Sequence, residues 1–398
     1  MKESLCLFVK NPFTQRDHER MGVAELGQHF DLRIFDCSPW LMPQASRMRS
    51  AGAMQLPNLQ TVSSYHELKA LLKDLSGGVA IDYVGQFSLR AVLLLHHLKK
   101  RQFKLVVMDS GAHAFPAERN LTGLSIRKGI YAIKNRYLQR GLNAVIRKLF
   151  LRLLPDQSPD FAFVSGTAWM SDGRFTRAKV KIPAHSFDYE KYLQIRSLPP
   201  LRAGEYAVYL DENIAGHEDN AELGYPRPVS SVGFFSALAD FFSAVEAASG
   251  LPVIVAGYPS DQLGPNSSAL GSREVVYGET ANLIRGAKLV FAHASTAISF
   301  AVLWRRPLVF LTSRELTSSW YFPWIAAPRS ILNAPLVDID SFGTAPNLVA
   351  AWQDFDRGAY DSYRDTFIKS AGSPECSLWD ILVAATQNPS PAGRSANA

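Results

Sequence analysis

Asp211 and Glu212 are the residues of this chain best placed to do chemistry, because they stand at the end of a short β-type run, 206–210. His217, Glu218 and Asp219 follow within a few positions. A carboxylate beside the anomeric carbon of a sugar can stabilise developing positive charge, or attack that carbon to form a covalent glycosyl-enzyme. Successive strand residues face opposite ways, so one member of the Asp211–Glu212 pair is expected to address a substrate. The competing reading is that either carboxylate caps the turn that follows.

A second group surrounds His293. The stretch 288–311 has an apolar run (289–292), then His293, then the hydroxyls of Ser295 and Thr296, a helical segment to Trp304 and a second apolar run from Leu308. That pattern predicts a strand, tight turn, helix and strand, the crossover of a parallel sheet. Backbone N–H groups at the start of a helix, with hydroxyls beside them, favour an anion and phosphate above all. His293 can donate to a phosphate oxygen, or serve as an ordinary hydrogen-bonded loop histidine. Tyr258, in the turn 257–260, and Thr312, Ser313 and Arg314, after the second run, are further candidates for a nucleotide pocket. Each can equally belong to a plain turn.

These residues need a scaffold, and the chain supplies alternating β-type and helical segments. Strands are expected at 4–9, 32–36, 79–84, 103–108 and 161–165, and again at 206–210, 252–256 and 274–277. Helices are expected at 17–29, 65–75, through Leu98, at 232–249 and at 281–286. Repeated units of this length imply a doubly wound α/β sheet, whose ligands sit in the loops after the strands. Asp17, His18, Arg20, Asp109 and His113 lie in such loops of the first half and are candidates for touching an acceptor. The Pro183, Pro199 and Pro200 breaks mark a connector. The expected division is an acceptor domain over 1–182, a linker over 183–204 and a donor domain over 205–359. A helical segment over 360–385 and a disordered tail over 386–398 complete it.

The bulk properties agree with this layout. A chain of 398 residues exceeds one ordinary core, and 47% hydrophobic with 20% charged residues suits a globular protein. No unbroken apolar run approaches the roughly 18 residues that span a bilayer. Cys6, Cys37 and Cys376 are few and without metal-ligand spacing, as expected of buried thiols in a reducing cytoplasm. Net charge is +6, but between Arg127 and Arg152 there are eight basic residues and no acid, interleaved with apolar side chains. Such a segment offers a peripheral contact with an anionic membrane face or a charged acceptor. No nucleic-acid-binding signature accompanies it, so no nucleic-acid partner is expected. No metal is expected either: the acidic pairs Asp338 and Asp340, and Asp354 and Asp356, lie away from the strand ends of interest. Phosphate-loop, dinucleotide and zinc-protease motifs are absent from the sequence.

Taken together, the connector IPAHSFDYEKYL, the strand end YLDEN with GHED beside it, and HASTAISFAVLWRRPLVFL resemble a family. The chain looks similar to bacterial GT-B glycosyltransferases of surface polysaccharide assembly, and more narrowly to retaining β-Kdo transferases of lipopolysaccharide O-antigens or capsules. The resemblance implies two Rossmann-like domains facing a central cleft, a CMP-β-Kdo donor and a saccharide acceptor that is lipid-linked. It implies Asp211 as nucleophile with Glu212 and His217 beside it, and His293, Ser295 and Thr296 at the donor phosphate. One departure is Tyr258-Pro259, where CMP-sugar transferases often carry His-Pro. Alternatives from the residues alone are a nucleotide-sugar epimerase, another CMP- or UDP-sugar transferase, and a non-catalytic sugar-binding subunit.

Overall fold

The computed structural model describes residues 2–48, 52–85, 88–108, 114, 158–216, 225–258, 270–342, 352 and 354–387. The basic segment between Arg127 and Arg152, the candidates Asp109, His113 and His217, and residues 388–398 of the expected tail lie outside them, whereas Thr386 and Gln387 close the helix Leu378–Gln387. The described parts of Met1–Ser110, Arg119–Phe187 and Lys369–Ala398 form one compact unit, and those of Gly111–Glu118 and Asp188–Ile368 form a second.

The first unit is built on seven parallel strands: β1 (Ser4–Val9), β2 (Asp31–Asp36), β3 (Leu59–Thr61), β4 (Val79–Asp82), β5 (Lys104–Met108), β6 (Phe161–Val164) and β7 (Val180–Pro183). Their order is β3-β2-β1-β4-β5-β6-β7. The chain winds outward from β1 in one direction and then from β4 in the other. β1 and β4 pair in parallel with Leu5 opposite Val79 and Phe8 opposite Asp82. The central strands read as apolar runs because helices cover both faces; β4 and β6 are buried at every position.

The expected single helix at 17–29 is two, Gln15–Arg20 and Val23–His29. Gly22 divides them at φ +59°, and a Cβ there would stand 2.2 Å from the Trp379 indole nitrogen. Only glycine fits that backbone and that approach. Trp379 belongs to the helix Leu378–Gln387, which returns the chain to this unit.

The second unit repeats the plan. Its strands are β8 (Ala207–Leu210), β9 (Val253–Gly257), β10 (Val275–Tyr277), β11 (Leu289–Ala292), β12 (Leu308–Thr312) and β13 (Leu336–Asp338). The order β10-β9-β8-β11-β12-β13 is the same winding, with β8 and β11 as the central neighbours. The helix Ser231–Ser249 lies on this sheet through Phe234, Phe235, Leu238, Phe241, Phe242 and Val245. Phe241 and Phe242 meet Phe291 of β11 at 5.5 and 5.7 Å between ring centres. Full burial of each such ring is worth about 1.5–3 kcal/mol. This 19-residue helix is also the one described helix long and apolar enough to cross a membrane by length and composition. The architecture is the expected α/β class, two Rossmann-like domains.

Candidate active site at the switch point of the second sheet

In a doubly wound sheet, ligands bind outside the carboxyl ends of the strands, where the winding reverses. In the second unit that point lies between β8 and β11. Asp211 and Glu212 follow β8, and His293 to Thr296 follow β11. The two groups singled out in the sequence therefore meet.

The two carboxylates diverge, as the strand alternation requires. Asp211 stays half-buried and accepts from the Asn213 N–H through Oδ1 at 2.9 Å. Asn213 completes this tight turn with φ +48°, in the left-handed region that asparagine tolerates better than most residues. Glu212 is only 7% exposed and reaches across to the other strand end. Its Oε1 accepts from the His293 N–H at 3.1 Å and the Ala294 N–H at 2.8 Å. Its Oε2 accepts from the Ala294 N–H at 3.1 Å and the Tyr321 hydroxyl at 2.7 Å. The backbone amides of this turn do hold an anion, and that anion is the chain's own Glu212.

Burial pushes the Glu212 carboxyl up to about 7, and the like charge of Asp211 adds to the rise. The three hydrogen bonds, Tyr321 foremost, oppose it. Tyr321 in turn is held well above the ordinary phenol range by burial and by the Glu212 charge.

His293 takes a different place from the one expected of a phosphate ligand. Its ring has no exposed surface, and Nδ1 lies 2.8 Å from the Leu311 carbonyl of β12. A carbonyl only accepts, so Nδ1 carries the proton and Nε2 is bare. Among the described residues Nε2 is buried without a hydrogen-bond partner. The ring packs edge-on to Tyr209 at 5.8 Å and beside Phe234 at 5.6 Å. Burial lowers its pKa to about 4, so the imidazole is neutral at pH 7. In this arrangement the His293 side chain offers no donor to a ligand; its backbone N–H serves Glu212.

Ser295 is half-buried and its Oγ accepts from the Ala297 N–H at 3.2 Å, while Thr296 is exposed. The helix they precede is Ile298–Leu303, and neither side chain caps it. Thr312 and Ser313 are 5% and 3% exposed. Thr312 Oγ1 lies 3.0 Å from Thr317 Oγ1, and Ser313 Oγ caps the turn Arg314–Thr317 by accepting from the Leu316 N–H. Both are committed to local structure. Tyr258 is half-buried and close enough to Tyr321 to raise its pKa.

Tyr321 carried no signal at the level of sequence. It lies 109 residues from Glu212, in an aromatic run whose Trp320 stacks on Tyr225 at 4.5 Å. Among the acceptor candidates, Asp17 closes a capping box with Thr14, and the Arg20 guanidinium lies 5.2 Å over the Phe187 ring. Asp338 and Asp340 are engaged in turn hydrogen bonds, with Asp340 accepting from the Arg314 N–H. Asp356 caps the helix Arg357–Tyr363.

No family model matches this chain, and no curated protein does. Among solved structures it is similar to MurG of Acinetobacter baumannii, at 8% identity and a TM-score of 0.44, over 97% of this chain and 99% of that one. It is similar to the UDP-GlcNAc 2-epimerase of Methanocaldococcus jannaschii at 10% identity and a TM-score of 0.48, over 97% and 100% of the two chains. The glycosyltransferase VinC in complex with dTDP gives 13% identity and a TM-score of 0.47, over 97% and 100%.

Proposed function

We propose that this protein is a GT-B glycosyltransferase that moves Kdo from CMP-β-Kdo to a saccharide acceptor of a lipopolysaccharide O-antigen or capsule, with retention of configuration. The observation that carries this reading is the half-buried Asp211 at the switch point, across from the turn His293 to Thr296. Asp211 attacks the anomeric carbon while the bond from that carbon to the CMP phosphate oxygen breaks, and CMP departs with the electron pair. The acceptor hydroxyl then displaces Asp211 and gives its proton to a base. Two inversions restore the starting configuration. CMP needs stabilisation of charge more than a proton, and Ser295 and Thr296 stand where its phosphate would lie. Glu212, with both oxygens engaged, supports this turn rather than attacking the sugar. The reaction takes no cofactor. The acceptor is lipid-linked, and the basic residues between Arg127 and Arg152 hold the enzyme at the cytoplasmic membrane face.

Intact-protein mass after incubation with CMP-Kdo tests the mechanism. Wild-type protein should gain one Kdo, and Asp211→Ala should gain none. Product of inverted configuration without an adduct ends the double displacement and leaves another CMP- or UDP-sugar transferase. An isomerised nucleotide sugar formed without acceptor points instead to an epimerase. Sound pathway function with Asp211→Ala points to a non-catalytic subunit.

A further inference from the structure

Three donors converge on the Glu212 carboxylate, and they are not equivalent. Oε1 faces the N–H groups of His293 and Ala294, whose hydrogens are fixed by the backbone. Oε2 faces Ala294 again at the longer distance of 3.1 Å, and the Tyr321 hydroxyl at 2.7 Å. A hydroxyl hydrogen rotates about its C–O bond, and the oxygen accepts as readily as it donates. A proton arriving at Oε1 would confront two N–H groups that cannot turn away. At Oε2 it meets a partner that can reverse.

We propose that Glu212 and Tyr321 form a reversible hydrogen-bond couple at the nucleotide site, in which a proton taken up at Glu212 Oε2 releases the Tyr321 hydroxyl to donate to the bound phosphate. With Glu212 ionised, the Tyr321 O–H points at Oε2. With Glu212 protonated, the Oε2–H donates to Tyr321 Oη, and the tyrosine's own hydrogen turns outward. The incoming proton comes from the buffer, and no other bond changes. This inference rests on the nucleotide-sugar reading.

The surroundings favour such a couple. The charged group acting on Glu212 from its own strand end is Asp211, of like sign. From β8, Tyr209 feels both carboxylates, and the His293 ring on β11 is neutral with its hydrogen given to Leu311. Tyr258 lies close enough to Tyr321 to raise its hydroxyl further. A phosphate entering this crevice adds negative charge and drives Glu212 toward its protonated form. Glu212 titrates near neutrality, so the change falls within a physiological range.

Calorimetric titration of the full chain with CMP at pH 7, in two buffers of different ionisation enthalpy, counts the protons exchanged. Wild-type protein should take up a fraction of a proton more per CMP than Glu212→Gln, which holds no titratable proton there. The difference between the two proteins cancels any proton lost by CMP itself. Tyr321→Phe should bind CMP about tenfold more weakly, the loss of one hydrogen bond to a charged group. It should also lose the tightening of affinity that wild-type protein shows as pH falls from 8 to 6.5. Equal proton counts in wild type and Glu212→Gln, or unchanged affinity in Tyr321→Phe, overturn the couple while leaving the nucleotide site standing. Wild-type protein that binds neither CMP nor UDP overturns both. Should Glu212→Gln fail to fold, the pH dependence of affinity in wild type against Tyr321→Phe decides alone.

Discussion

Each sheet carries a buried carboxylate at its switch point, and the two are used differently. In the first unit Asp82, at the end of β4, bends back on its own loop: its Oδ1 accepts from the N–H groups of Val84 and Gly85, both at 2.8 Å. Arg174 and Lys10 act on it as cations. In the second unit Glu212 ignores its own loop and crosses to the turn after β11, where the like charge of Asp211 acts on it. The same local closure, two residues on, is made by Asp36 to the Ser38 N–H, Asp211 to Asn213 and Asp338 to Asp340. Glu212 instead joins two strand ends, with both of its oxygens on the turn after β11 or on Tyr321. Local closure builds a loop, whereas the crossing contact holds together the two sides of a crevice.

Truncation of each carboxylate should break this pairing most visibly. Glu212→Ala leaves three donors without a partner in a buried site, at about 1–3 kcal/mol per orphaned group. We expect the second unit to lose roughly 3–9 kcal/mol on that scale, with fast hydrogen exchange in the peptide spanning 289–297. Asp82→Ala orphans two amides of a single loop that can relax together, so its cost should be smaller, roughly 2–4 kcal/mol by the same scale. Equal losses, or exchange around Ala294 that does not change, would end the distinction between them.

The pH dependence is a finer test of the second unit. The Glu212 carboxyl rises from 4.5 to about 7 on folding, so the folded state holds more protons than the unfolded chain within that window. Its contribution is present below pH 4.5 and is lost as pH rises through about 7, roughly 3.5 kcal/mol by linkage at about 1.36 kcal/mol per unit. His293 runs the other way. Its pKa falls from 6.5 to about 4, so its contribution is present above 6.5 and is lost as pH falls toward 4. Between pH 4.5 and 6.5 the contributions of these two groups oppose each other and largely cancel. Glu212→Gln should make stability rise with pH across that range. A profile with the same slope as wild type in this variant would contradict the assigned environment of Glu212.

What the sequence made legible follows burial. β1, β4, β8 and β11 are covered on both faces, so nearly every residue is apolar and the runs stand out. The edge strands β3, β7 and β13 are half-exposed along their length, and their residues alternate or mix too weakly to be read. At the site, Asp211 and Glu212 were legible because polar residues closing an apolar run mark a strand end. Tyr321 was not, because a partner 109 residues away leaves no local pattern. His293 was legible as a strand-end residue but not in its direction. Only the register of β11 beside β12, with Ala292 opposite Phe310, brings the Leu311 carbonyl to its ring.

The smallest expected effects separate the two pairs of hydroxyls that the sequence placed at the nucleotide. Ser313 is buried and caps a helical turn, so Ser313→Ala should cost about 1 kcal/mol of stability, the usual loss of an N-cap. Its affinity for CMP should be unchanged. Among the described residues the Ser295 hydroxyl meets the Ala297 N–H of its own turn at 3.2 Å, and Ser295 keeps exposed surface beside exposed Thr296. Ser295→Ala should therefore cost about 0.5 kcal/mol or less in stability, yet weaken CMP binding several-fold if the hydroxyl meets the phosphate. Chemical denaturation and CMP titration on the two variants give four numbers. Stability lost at Ser313 and affinity lost at Ser295 would place the ligand over the turn after β11 rather than the one after β12. Affinity lost at Ser313 instead would move the phosphate one strand along the sheet, away from Asp211.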